Sequence, residues 1–210
     1  MKKQRTIYHL IVDRSGSMSD CIDATINGYN EQLNRIRSMQ DEFPEQDIRV
    51  GLTMFNTIID MQAVAQDLLN ATRLSKKNYI PDGGTALYDA IGQTTLHLEE
   101  ACSRPSDLPT TFVVVVLTDG YENSSRLFNL QQIRSLIQRL EATEKWTFSF
   151  IGATLDAVEV AEQMSIRANN SFSFEKQSMK TAVWDKLSDS MHSYFNKKSR
   201  GENLSDLYDK

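Results

Sequence analysis

Cysteine and histidine are scarce in this sequence, an excess of positive charge is missing, and no apolar run is long. Only two cysteines, Cys21 and Cys102, stand in 210 residues. They make no disulfide framework and lack the paired spacing of a zinc site. Two reduced thiols of a cytoplasmic protein are the reading that fits, with one bridge between them as the alternative. The three histidines, His9, His97 and His192, have no acid or thiol at metal-ligand spacing. His9 alternates within a strand-like stretch and reads as a core histidine. Lysine and arginine number 23 against 28 acidic residues, a net charge of −5, and they are scattered. That offers no basic field to a phosphate backbone and argues against nucleic acid. The run TFVVVVL stops at TDG, far short of the roughly 18 residues of a membrane helix. The opening MKKQRTIYHLIV has a short apolar part, charge after it and no small-residue cleavage site, so it reads as a first strand, not a leader.

What is present is enough for a core: 40% of the residues are hydrophobic, and the length fits one domain, set at 1–199 with a polar tail at 200–210 that is expected to fray. Strand-like and helix-like stretches alternate. Residues 5 to 12 read as a strand, and Ile22, Ile26, Tyr29, Leu33 and Ile36 then recur at helical spacing. DIRVGLTMF and TIIDMQAVA follow as strands joined by a very short link, which predicts a hairpin and an antiparallel edge. A helix from near Thr85 carries Leu87, Ile91 and Leu98. TFVVVVL, apolar on both faces, predicts a central parallel strand. A helix with Ile133, Leu136, Ile137 and Leu140, the strand WTFSFIG, a short helix from Ala157 to Met164, the strand NNSFSFE and a closing helix from Lys180 to Asn196 complete the pattern. The fold class is α/β, with a mostly parallel sheet between helices. SRPSDLP, at 103–109, reads as a loop.

The chemistry gathers where strands end. VDRSGSMSD follows the first strand, TDG ends the central one, and PDGGTALYDA opens a helix. If the two strands are neighbours, Asp13 and Asp119 share one crevice mouth, and two anions there need a cation or a proton between them. With Ser15, Ser17 and Thr85 they form an oxygen-only set, suited to a hard cation such as Mg²⁺ and poorly to zinc. Ser19 or Asp20 reads as a helix cap, Asp82 as a turn acid and Asp89 as a first-turn acid.

DRSGSM resembles the DxSxS signature of the von Willebrand factor A domain, the integrin I-like fold, and GGTALYDA and LTDG match its other motifs in order. The resemblance covers roughly residues 5 to 195. It implies a three-layer Rossmann-like sandwich with one short antiparallel edge strand, and an intact metal-ion-dependent adhesion site. Asp13, Ser15 and Ser17 correspond to the first metal-binding loop, Thr85 to the second and Asp119 to the third. Family members bind a divalent ion, usually Mg²⁺ (Mn²⁺ or Ca²⁺ are alternatives), whose open position an acidic side chain of a protein completes. The resemblance thus implies an adaptor that engages an exposed Asp or Glu of a partner, is a monomer on its own, and is similar to stand-alone intracellular bacterial members. Arg14, Gly84, Tyr121 and Glu122 are the candidates for the contact rim.

Two other readings compete. Phosphatases that form an aspartyl phosphate also place an aspartate after the first strand, but they need a second acid two residues on, where this chain has Ser15. No phosphate-binding lysine motif is present. A structural domain with a vestigial site is the third reading, and the complete set of five oxygen side chains argues against it.

Overall fold

The computed structural model describes residues 3–101, 108–176 and 182–208. Cys102, most of the SRPSDLP loop and the first two residues of the expected closing helix lie outside the described residues. Among the described residues six strands form one sheet: β1 Gln4–Asp13, β2 Gln46–Phe55, β3 Ile59–Asp67, β4 Thr110–Thr118, β5 Trp146–Gly152 and β6 Ser171–Ser173. Their order is β3-β2-β1-β4-β5-β6, and only β3 runs antiparallel, at the edge. Among the described residues the α-helices are α1 Ile22–Glu42, α2 Leu87–Ala101, α3 Leu130–Glu141, α4 Ala157–Gln163 and α5 Trp184–Arg200. The expected α/β sandwich and the hairpin edge are both present.

Alternation along the strands divides the core in two. Tyr8, Leu10 and Val12 of β1 and Val113, Val115 and Leu117 of β4 pack under α1 and α5. Ile7 and Ile11, with Val114, Val116, Phe148 and Phe150, pack under α2 and α3. Both faces of β4 are fully covered, as its unbroken apolar run requires.

Three local expectations are corrected. The first α-helix is preceded by a 3-10 turn, Gly16–Cys21, so neither Ser19 nor Asp20 caps it: Cys21 holds the cap position, and the Ser19 hydroxyl donates to the Gly16 carbonyl at 2.6 Å. The last strand is only three residues long, with a 3-10 turn over Ala168–Asn170 before it. The tail does not fray as far as Tyr208. Gly201, at φ +69, ends α5 in the left-handed conformation that favours glycine, and the chain turns back along the sheet. Leu207 and Tyr208 are buried; the Tyr208 hydroxyl meets Ser149 Oγ at 2.7 Å, and Asn170 brackets the segment through Ser205 O and Leu207 N.

Candidate metal centre at the carboxyl edge of the sheet

β1 and β4 are neighbours, yet β1 feeds α1 on one face and β4 feeds α3 on the other, so their carboxyl ends open a crevice. Asp13 ends β1 and is fully buried. Its Oδ1 accepts from Ser15 N at 2.6 Å and its Oδ2 from Thr118 Oγ1 at 2.6 Å, while its carbonyl accepts from the Tyr79 hydroxyl at 2.7 Å. Burial pushes the Asp13 carboxyl up to about 6; the hydrogen bonds from Thr118 and Ser15 oppose that rise, and the nearby Asp119 adds to it.

Asp119 follows β4 directly. Ser17 Oγ donates to its Oδ1 at 2.6 Å, and Ser15 Oγ lies 3.1 Å from Ser17 Oγ. Thr85 is buried just before α2. A Cβ built on Gly120 would lie 3.0 Å from Thr85 Oγ1, 3.6 Å from Ser17 Oγ and 3.8 Å from Asp13 Oδ2. Oxygens of the first and second loops therefore face one small volume beside the third, kept open because residue 120 has no side chain. The sequence-predicted set of Asp13, Ser15, Ser17, Thr85 and Asp119 is brought together. Among the described residues no three His, Cys, Asp or Glu side chains are placed to hold a metal ion together, and the donors here are two carboxylates and hydroxyls. That mixture fits a hard dication: it supplies two negative charges and neutral oxygens, with no soft ligand.

Backbone stitching fixes the three loops to one another. Gly16 N donates to Gly83 O and Asp82 N to Arg14 O, which joins the first loop to the second. Gly83 has φ +72, the left-handed region that its lack of a Cβ permits. Thr85 and Asn123 exchange two bonds, Thr85 N to Asn123 Oδ1 at 2.9 Å and Asn123 N to Thr85 O at 3.0 Å. Gly84 lies against this third loop, since a Cβ there would meet Ser124 Oγ at 2.3 Å.

The expected rim residues differ in what they touch. Tyr121 is exposed and donates to Asp156 Oδ1 at 2.8 Å. Arg14 does not face solvent freely: it pairs with Asp60 at 3.1 Å, its side chain only 17% exposed. The Glu122 carboxylate is taken up within the fold, accepting from Tyr88 N, Ser124 N, Ser125 N and Ser125 Oγ at 2.7–2.9 Å. Asp89 does more than complement a helix dipole, because its carboxylate accepts from the backbone of Arg126, Leu127 and Phe128 and shapes the link into α3.

Sequence reasoning missed Thr118 and Lys176. Thr118 was legible as the hydroxyl beside Asp119. Lys176 had no local signal: it follows β6, yet its Nζ reaches Asp119 Oδ2 at 2.5 Å and Ser17 O at 3.0 Å. Burial pulls the Lys176 ammonium down, but the Asp119 carboxylate outweighs it and the net shift is upward.

Comparison with known proteins agrees with the fold. The family model of the von Willebrand factor type A domain matches residues 9–190. No curated protein matches the chain. Among solved structures, the PilB minor pilin from Streptococcus sanguinis is similar at TM-score 0.65 and 12% identity, over 91% of this chain and 62% of that one. Proximal thread matrix protein 1 from the mussel byssus, with a zinc-occupied MIDAS motif, is similar at 0.59 and 14%, over 87% and 47%. The manganese-loaded TRAP protein of Plasmodium vivax is similar at 0.56 and 16%, over 86% and 72%. At these identities the likeness is one of fold, and the chain spans 47% to 63% of the first three structures it resembles.

Proposed function

The chain belongs to the von Willebrand factor type A domain family, and from that premise we propose that it binds a partner protein through a divalent cation, Mg²⁺ in the first instance. Asp13, Ser15, Ser17, Thr85 and Asp119 would hold the ion, which supplies a positive centre for one acidic side chain of the partner. The observation that carries this reading is the convergence of Thr85 Oγ1, Ser17 Oγ and Asp13 Oδ2 on the open space at Gly120. Burial of Asp13 beside Asp119 supports it, because a buried pair of acids is stabilised by a cation.

The surroundings suit a protein ligand. Ile58, Tyr121, Leu127 and Leu155 are exposed on the connections that leave β2, β4 and β5 at this same edge, so the acid would be received among apolar side chains. We assign the site no catalysis, since the place where an acid would protonate a leaving group holds Ser15, whose hydroxyl cannot do so near neutral pH. We read the protein as a cytoplasmic adaptor, which agrees with a buried free thiol at Cys21. Among the described residues no helix is long and apolar enough to cross a membrane.

Thermal unfolding in chelator, Mg²⁺, Mn²⁺ and Ca²⁺ tests this. A native-state site adds about 2.7 kcal/mol at a hundredfold excess of ion over Kd. Wild type should be stabilised by Mg²⁺ and Asp13→Ala should not. An intact wild type with the same Tm in chelator and in all three ions would overturn the proposal.

A further inference from the structure

Lys176 joins a part of the chain remote from the three motifs to their centre. It lies three residues beyond β6, and β5 and β4 separate that strand from β1. Its ammonium nevertheless contacts Asp119 Oδ2 at 2.5 Å and the Ser17 carbonyl at 3.0 Å. The Asp119 side chain has no exposed surface, whereas that of Lys176 is 34% exposed. The carboxylate is thus divided, with Oδ1 taken by the Ser17 hydroxyl and Oδ2 by the ammonium. Asp13 and Asp119 carry two negative charges, and Lys176 already balances one of them. A dication held by the same carboxylates would stand close to this ammonium, and the two like charges would repel each other.

We propose that Lys176 is a tethered rival of the divalent ion: its ammonium holds Asp119, and the ion binds fully only when Lys176 leaves that carboxylate. The proposal rests on the metal reading above and adds its regulation. Divalent affinity at this centre is set not only by the five oxygen side chains but also by how firmly Lys176 is held on Asp119. A partner's carboxylate that draws Lys176 to itself would tighten the ion without touching it.

Mn²⁺ binding, followed by the loss of the free-ion electron paramagnetic resonance signal, separates the alternatives. Lys176→Met removes the charge, Lys176→Arg keeps it, Lys77→Met removes an exposed charge elsewhere, and Asp13→Ala removes a ligand. An ion pair to a buried carboxylate is costly to displace, so Lys176→Met should bind Mn²⁺ about tenfold tighter or more, with Lys176→Arg and Lys77→Met within about twofold of wild type. Lys176→Met binding no tighter than wild type, or Lys77→Met or Lys176→Arg tightening equally, would overturn the rivalry while leaving the metal site standing. Absence of binding in wild type, Lys176→Met and Asp13→Ala alike would overturn both. Matching urea midpoints in chelator establish that the Lys176 variants are folded.

Discussion

His9 is buried in β1, its Nε2 2.9 Å from Thr53 Oγ1, and Thr53 also receives the Thr94 hydroxyl at 3.0 Å. Burial, only partly offset by the Val64 backbone, lowers the imidazole to about 4. Between that value and the ordinary 6.5, the unfolded chain takes up a proton that the folded chain refuses. The stability His9 contributes is therefore complete above about pH 6.5 and is lost as pH falls toward 4, with a slope of at most about 1.4 kcal/mol per pH unit. Urea midpoints at pH 7, 6 and 5 should fall less steeply for His9→Gln than for wild type. Parallel curves would show that the imidazole is protonated inside the fold. The ring fits because residue 51 has no side chain, a Cβ there lying 2.0 Å from His9 Nδ1. His192, by contrast, lies at the surface with its Nε2 2.9 Å from Glu42 Oε1.

At the level of elements, the contact between α1 and α5 depends on one glycine. A Cβ on Gly28 would lie 1.9 to 2.4 Å from the indole of Trp184, a buried residue in the first turn of α5. Alanine normally favours a helix over glycine by up to about 1 kcal/mol. Here the sign should reverse, with Gly28→Ala destabilising by about 1–3 kcal/mol because α5 must shift to relieve the overlap. Equilibrium urea unfolding decides it, and a stabilised variant would contradict so close a crossing. At its other end α5 is held by Lys198, whose ammonium donates to Arg5 O and to the Thr6 and Thr111 hydroxyls at 2.6–3.0 Å. The helix spacing of Val183, Leu187, Met191 and Tyr194 along the chain marks this buried face. It could not foretell Gly28 opposite Trp184, because that pairing joins residues 156 positions apart, and only the crossing of two helices brings them together.

For the molecule as a whole, the last turn of chain is part of the core. Leu207 and Tyr208 fill space beside Phe172 and β5, and Lys186 lies over the Phe172 ring at 4.0 Å. Ending the chain after Gly201 removes both side chains and leaves Ser149 and Asn170 without their partners. At about 1.5–3 kcal/mol for each large buried side chain, the truncated protein should lose about 3 kcal/mol or more. An unchanged urea midpoint would mean that the segment is only loosely laid on the surface. In the sequence this stretch reads as polar, because three apolar residues in eleven carry no period, and burial there depends on a groove assembled elsewhere.

Legible along the chain are the alternation of strands and helices, the buried centre at VVVV and the five oxygen side chains after β1, before α2 and after β4. Those features are local: side-chain period follows backbone geometry, and each motif sits within a few residues of the strand or helix end that presents it. How the carboxylates are shared follows from the folded arrangement alone. Thr118 on Asp13, Asn123 on Thr85, Asp89 on the α3 entry and Lys176 on Asp119 join separate elements, with Lys176 lying 57 positions beyond Asp119. Such contacts depend on strand order, on register and on the shape of the loops between, and none of these is written in the spacing of residues along one segment.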